Sequence, residues 1–161
     1  MDRKLSSLTG RDNYFEDFVP GAVYEHARGK TVTEMDNVLI TNLVMNTAEG
    51  HFNEDRMARG PLKHRIVFGG ITAAMVIGLA MQDTGENALA ELTMDGVRFK
   101  TPVFHGDTLY AYTEVLGVGD ADRPDAGVVH FRHIGLNQDG RTVFEGERRV
   151  LMKRRSHWGD R

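Results

Sequence analysis

Between Phe68 and Met81 the chain carries no charged residue and a single polar side chain, Thr72. Ile71, Met75, Gly78, Leu79 and Met81 recur at helical spacing, and the residues between them are small or apolar as well. A helix that is apolar all round belongs inside a protein, sheathed on every side. The run is too short to cross a bilayer, which takes about 20 apolar residues. It opens on Gly69-Gly70, where the absence of side chains lets other groups approach the N–H donors of the first turn, at the positive end of the helix dipole. Whatever else the chain does, it must wrap this helix.

The wrapping material is legible downstream. Leu89–Lys100, Asp107–Gly117, Gly127–Asn137 and Arg141–Arg154 alternate or are rich in β-branched residues, so each predicts a strand. His105-Gly106-Asp107 and Gln138-Asp139-Gly140 predict tight turns, and 119–125 a polar loop containing a proline. Upstream, Tyr14–Phe18 with Val19-Pro20-Gly21 reads as an apolar clasp and a turn, and Val23 to Thr31 as a weakly alternating strand. Thr33 with Asp36 has the spacing of a capping box, and helical spacing continues from it to about Thr47. Between His51 and Arg65 the pattern predicts a one-turn helix and a surface loop.

One sheathed helix followed by four long strands with short connections predicts an α+β domain, a single antiparallel sheet curled around the helix. Residues 1–13 read as a loose N-terminal arm, 14–155 as the domain and 156–161 as a tail. The free sheet edges predict a homodimer or a higher homo-oligomer. With 161 residues the chain can bury a real core, and a net charge of −3 with a pI near 6.1 gives no attraction for nucleic acid or an anionic membrane. The absence of cysteine excludes thiolate chemistry, and no apolar leader follows Met1, so a cytoplasmic protein is expected.

The chemically interesting stretch is Met45-Asn46-Thr47-Ala48-Glu49-Gly50-His51-Phe52-Asn53-Glu54-Asp55. Taken with Tyr14–Phe18, Gly29–Glu34 and Gly69–Thr72, in that order along the chain, it resembles the MaoC-like acyl-CoA dehydratases, or R-specific enoyl-CoA hydratases. The likeness runs over residues 14–152. In that family an Asp ends the first helix, a His follows five residues later, and a glycine opens the central helix. His51 and Gly69 stand at the second and third of these positions; Asn46 replaces the Asp, and Ala48-Glu49-Gly50 replaces the usual Asn-Pro-Leu. Asn at that position is similar to the mesaconyl- and itaconyl-CoA hydratase subgroup.

The resemblance implies a hotdog fold, with a sheet wrapped about a long central helix, and a hydro-lyase acting on an enoyl-CoA thioester. Coenzyme A then enters only as the substrate's carrier, with no cofactor and no metal. Hydration needs a base for water, an acid for the α-carbon and donors for the enolate oxygen. His51 can serve as base and acid, because imidazole exchanges protons near neutral pH. Gly69 and Gly70 would supply N–H donors. Asn46 cannot take a proton but can orient water, or it can cap the helix end instead; Glu49 is a nearby substitute carboxylate. Arg56 and Arg65 are candidates to pair with the second carboxylate of a substrate such as mesaconyl-CoA. Arg56, Lys63, Arg65, Arg98 and Lys100, with Lys153–Arg155, are the basic candidates for the CoA phosphates. Two alternatives stand beside the hydratase, a hotdog thioesterase and a non-catalytic acyl-CoA-binding module. His64, His105, His130 and His133 match nothing in the family and read as surface or strand residues.

Overall fold

The computed structural model describes residues 3–5 and 13–159. A short strand β1 (Arg3–Leu5) comes first, then a 3-10 turn over Phe15–Asp17, β2 (Val23–Glu25) and β3 (Lys30–Thr31). Three helices follow, α1 (Glu34–Leu43), α2 (Glu49–Phe52) and α3 (Glu54–Ala58), and then the central helix α4 (Gly69–Thr84). Four long strands complete the domain: β4 (Ala88–Phe99), β5 (Thr108–Asp120), β6 (Ala126–Leu136) and β7 (Thr142–Lys153). A terminal turn of helix, α5 (Arg155–Trp158), closes the chain. The strands form one sheet in the order β1-β2-β5-β6-β7-β4, with β3 also paired to β5. All pairings are antiparallel except β1 with β2. The sheet curls around α4, which is the hotdog arrangement and the α+β class expected.

The strand boundaries fall within a few residues of those predicted, because alternation reports directly on a sheet with one buried face. Along β6 and β7 every second side chain is buried. The turns at Gly106 and Gly140 have φ of +94° and +73°, values glycine adopts without strain.

The structure departs from expectation at several points. Arg3–Leu5, placed in a loose arm, pair in parallel with Val23–Glu25. In the tail, Trp158 is docked on the domain, its Nε1 donating to the Asp125 carbonyl at 3.1 Å. The strand expected from Val23 to Thr31 is two strands, interrupted at 26–29 with a bend at Ala27; at Gly29 a Cβ would meet the Tyr110 ring at 2.6 Å.

Helix α4 continues past Met81 to Thr84, since its polar end is absorbed by the fold. Thr84 Oγ1 returns to the Ala80 carbonyl at 2.8 Å, and the Asp83 carboxylate meets His26. Nor is α4 enclosed on every side within one chain, because Ala74 and Gly78 are exposed on the face turned from the sheet. Helix α1 is capped as predicted, with Asp36 N–H donating to Thr33 Oγ1 at 3.2 Å and Thr33 N–H to Asp36 at 2.7 Å. Its inward face is the surprise. The buried residues are Asn37 and Thr41, whereas Met35, Leu39 and Leu43 are exposed.

Two apolar clusters fill the core, one around Ile71, Val76, Leu109 and Phe144, the other around Phe18, Val129, Phe131 and Val150. A seam of buried polar groups also runs through it. The Arg148 guanidinium lies 3.1 Å from His133 Nε2, His133 Nδ1 is 2.8 Å from Thr113 Oγ1, and Thr113 Oγ1 is 2.6 Å from His26 Nε2. His26 Nδ1 then reaches Asp83 at 2.6 Å, and Arg148 pairs with Glu91 through Nε and Nη2. Arginine only donates, so His133 Nε2 accepts and its proton sits on Nδ1. That proton goes to Thr113, whose own hydroxyl hydrogen goes to His26 Nε2, and His26 Nδ1–H goes to Asp83. Every nitrogen of the two imidazoles thus has a partner within the seam. Burial, then the Arg148 charge, holds His133 well below the usual imidazole range. His133, read from sequence as a surface or strand residue, is thus a core residue of β6.

Candidate active site

His51 sits on α2, not in a loop. Its Nδ1 is 2.9 Å from the Ile66 carbonyl. A carbonyl can only accept, so Nδ1 carries a proton, and in the neutral ring the lone pair is on Nε2. The Ile66 N–H in turn donates to the Gly50 carbonyl at 3.0 Å, so α2 and the segment entering α4 are laced together on both sides of the ring. The Phe68 ring lies 5.6 Å from the imidazole, centroid to centroid, and limits its tilt.

Phe68 is also the N-cap of α4. Its carbonyl accepts from Ile71 and Thr72 N–H at 2.9 and 3.3 Å, so the helical ladder starts there and leaves the Gly69 and Gly70 N–H groups ahead of it. Both glycines are closely approached by aromatic rings. A Cβ at Gly69 would meet the Phe99 ring at 3.1 Å, and one at Gly70 the Phe68 ring at 2.5 Å.

A cleft of about 380 Å³ opens between these parts, with His51, Gly69, Thr72, Phe99, Lys100 and Thr101 among its walls. The structure therefore brings His51 and Gly69 together; Gly70 adjoins them without lining the cleft. Lys100 is the basic residue on the cleft, paired at 3.3 Å with Glu145.

The remaining candidates lie elsewhere. Helix α1 ends on Val44, and Met45 turns the chain with φ of +56°, so Asn46 is not its cap. Asn46 Oδ1 instead accepts from Ala48 N–H at 3.2 Å, which shapes the turn leading into α2. Arg56 is exposed and pairs with Glu49 at 2.6 Å, so neither is directed to the cleft. Arg65 is held between Glu34 and Glu54. Hydrogen bonds from His64 first, then from Arg65, pull the Glu54 carboxyl down to about 2, and the bond to Glu34 raises the guanidinium further. Arg65 is thus spent on the α1–α3 scaffold.

Sequence reasoning missed Asn37. Its side chain is fully buried, with Nδ2 donating to the His51 carbonyl at 3.1 Å and Oδ1 accepting from Phe68 N–H at 3.0 Å. The one available signal was a polar pair, Asn37 and Thr41, at helical spacing inside an apolar pattern.

An imidazole on α2, facing the start of a long helix across a cleft in a curled antiparallel sheet, is the arrangement of a hotdog domain. Comparison with known proteins gives the family. A family model for mesaconyl-CoA hydratase matches residues 8–154, and the chain belongs to that family. It is 34% identical over 160 residues to a mesaconyl-CoA hydratase of Haloarcula marismortui, covering 88% of this chain and 42% of that one. It is 33% identical over 146 residues to an (R)-specific enoyl-CoA hydratase of Rhodospirillum rubrum, covering 89% and 94%. A MaoC-domain protein of Chloroflexus aurantiacus superposes with a TM-score of 0.84 at 31% identity, over 93% of this chain and 43% of the other. The chain thus spans less than half the length of the Haloarcula relative and nearly the whole of the Rhodospirillum one.

Proposed function

We propose that this protein adds water across the α,β-double bond of an enoyl-CoA thioester, or removes it in reverse, with a branched or dicarboxylic acyl group such as mesaconyl as the substrate class. The observation that carries the reading is His51, whose Nδ1–H is fixed to Ile66 and whose Nε2 is free to act, in one cleft with Gly69 at the start of a 16-residue helix. In this mechanism the thioester carbonyl lies at the start of α4, where the Gly69 N–H and the helix dipole stabilise the negative charge that develops on oxygen. His51 Nε2 takes a proton from water as the oxygen bonds to the β-carbon, and returns that proton to the α-carbon. The proton account closes on one imidazole, so no cofactor is needed.

Asn46 does not line the cleft and has Oδ1 committed to Ala48, so a part for its Nδ2 in holding the attacking water rests on the family resemblance alone. Lys100, rather than Arg56 or Arg65, is the cation placed to meet an anionic part of the substrate. A thioesterase is less well supported, because none of the described residues lining the cleft is a carboxylate.

We also infer a homodimer, acting in the cytoplasm. Edge strand β4 exposes Leu92, Met94, Val97 and Phe99, and Ala74 and Gly78 lie bare on α4, an apolar surface of the kind a second copy covers. Phe99 belongs to both this edge and the cleft, which sets the cleft beside the subunit boundary. Among the described residues no helix is long and apolar enough to cross a membrane.

The test is a panel of enoyl-CoA thioesters, including branched and dicarboxylic ones. Loss of enoyl absorbance without thiol release, with a product heavier by one water, supports the reading. Thiol release would make the protein a thioesterase, and binding without turnover would make it an acyl-CoA-binding module.

A further inference from the structure

Asn37 lies mid-helix in α1, where asparagine is a poor helix former, and its side chain is buried rather than turned to solvent. Both ends of the amide are occupied. The two backbone groups it holds belong to His51 and to Phe68, the residue before Gly69. They are the mounts of the two working parts of the cleft. We propose that Asn37 is a positioning residue, one amide that sets the separation and orientation of the His51 imidazole relative to the start of α4.

The chemistry of the two mounts explains the residue type. The His51 carbonyl needs a donor, and the Phe68 N–H needs an acceptor on the adjoining atom. An amide offers both in one plane. An ionised Asp offers only acceptors and would face the His51 carbonyl with negative charge; a Leu of similar shape offers neither.

The anchor itself is firm. The Asn37 carbonyl accepts from Thr41 Oγ1 at 2.6 Å, and α1 is pinned at its start by the Thr33–Asp36 cap and by Lys30 to Asp36 at 2.9 Å. The Asp36 carboxyl is held down to about 2, first by the Thr33 hydroxyl. The chain between the two mounts includes the exposed stretch 58–64 except for half-buried Gly60, and Asn37 bridges them directly. A misplacement of about 1 Å between catalytic groups costs on the order of 10²-fold in rate.

The proposal rests on the hydratase reading, so the experiment has one arm that uses turnover and one that does not. A merely structural Asn37 would make its variants less stable and leave the folded fraction fully active. Asn37→Asp separates the two roles. When protonated, its carboxyl is the neutral counterpart of the amide, with an O–H for His51 and a C=O for Phe68; when ionised it loses the donor. At temperatures where circular dichroism shows the variants folded, the ratio of the Asn37→Asp kcat to the wild-type kcat should fall at least about tenfold from the acid to the alkaline side of the profile, with KM little changed. Asn37→Leu, or Asn37→Ser if the Leu variant does not fold, should lower kcat by a similar factor at every pH.

The second arm reads the His51 ring nitrogens by 15N NMR. The wild type should show the Nδ1–H tautomer, and Asn37→Leu or Asn37→Ser a mixture of tautomers as the ring loses its register on Ile66. Folded variants with wild-type kcat and the wild-type tautomer would overturn the proposal. If the wild type hydrates no thioester the hydratase reading fails by itself, and the tautomer result alone then decides whether Asn37 positions the ring.

Discussion

The buried polar seam makes a sharp prediction through Thr113, whose hydroxyl stands between two imidazoles at 2.6 and 2.8 Å with no exposure to solvent. Thr113→Val keeps the shape and removes the oxygen, so no cavity opens. His133 loses the acceptor for its Nδ1–H, and His26 loses the donor to its Nε2. Each is a buried polar group left unmade, at about 1–3 kcal/mol apiece. Water has no route to replace the hydroxyl, because His26, His133 and Arg148 are all buried. The sum is about 2–6 kcal/mol, or roughly 4–24 °C in Tm for a domain of this size. Thr113→Ser, which keeps the hydroxyl, should lose only about 1 kcal/mol for the methyl group. Thermal and denaturant unfolding of the three proteins measures this directly. A Thr113→Val protein within about 0.5 kcal/mol of wild type would refute the directed chain of hydrogen bonds.

Three further outcomes follow. Because His133 is held neutral in the folded state, the unfolded chain alone takes up its proton as pH falls below about 6.5. Its contribution is full above that pH and is lost on the acid side at about 1.4 kcal/mol per pH unit. The unfolding free energy of His133→Gln should therefore show a shallower acid slope than that of wild type between pH 6.5 and 5. Asn46→Ala should raise the activation barrier by about 2–4 kcal/mol if its Nδ2 holds water, and full activity with a lowered unfolding midpoint would reduce it to a turn former. Gly70→Ala forces the Phe68 ring aside and should cost about 1–3 kcal/mol in stability together with a drop in kcat, read from unfolding curves and initial rates.

Legibility in the sequence followed the reach of the interactions. Helix α4 and strands β5, β6 and β7 were readable because burial is written into the local pattern, β4 from its own residue pattern although most of it is exposed in one chain, and the turns at Gly106 and Gly140 because their backbone needs glycine. In α1 the period was readable but its facing was not. Asn37 and Thr41 go inward because each polar group finds a backbone partner there, while Met35, Leu39 and Leu43 remain outside. The seam joins His26, Asp83, Thr113, His133 and Arg148, residues from distant parts of the chain that only the strand register brings into line. At the site, His51 and Gly69 were singled out through family resemblance, and the structure sets both on one cleft. Arg65 seemed a substrate ligand because its charge was visible and its partners, Glu34 and Glu54, were not. Lys100 gains its place only when the end of β4 returns beside α4.

The central claim is that His51 Nε2 moves the proton. Its direct test is the hydration rate of mesaconyl-CoA by wild type and by His51→Ala, followed by mass spectrometry, with circular dichroism on both proteins. The account predicts steady formation of the water adduct by wild type, and a folded His51→Ala slower by a factor of ~10² or more. A folded His51→Ala that hydrates the thioester at a near wild-type rate would contradict it.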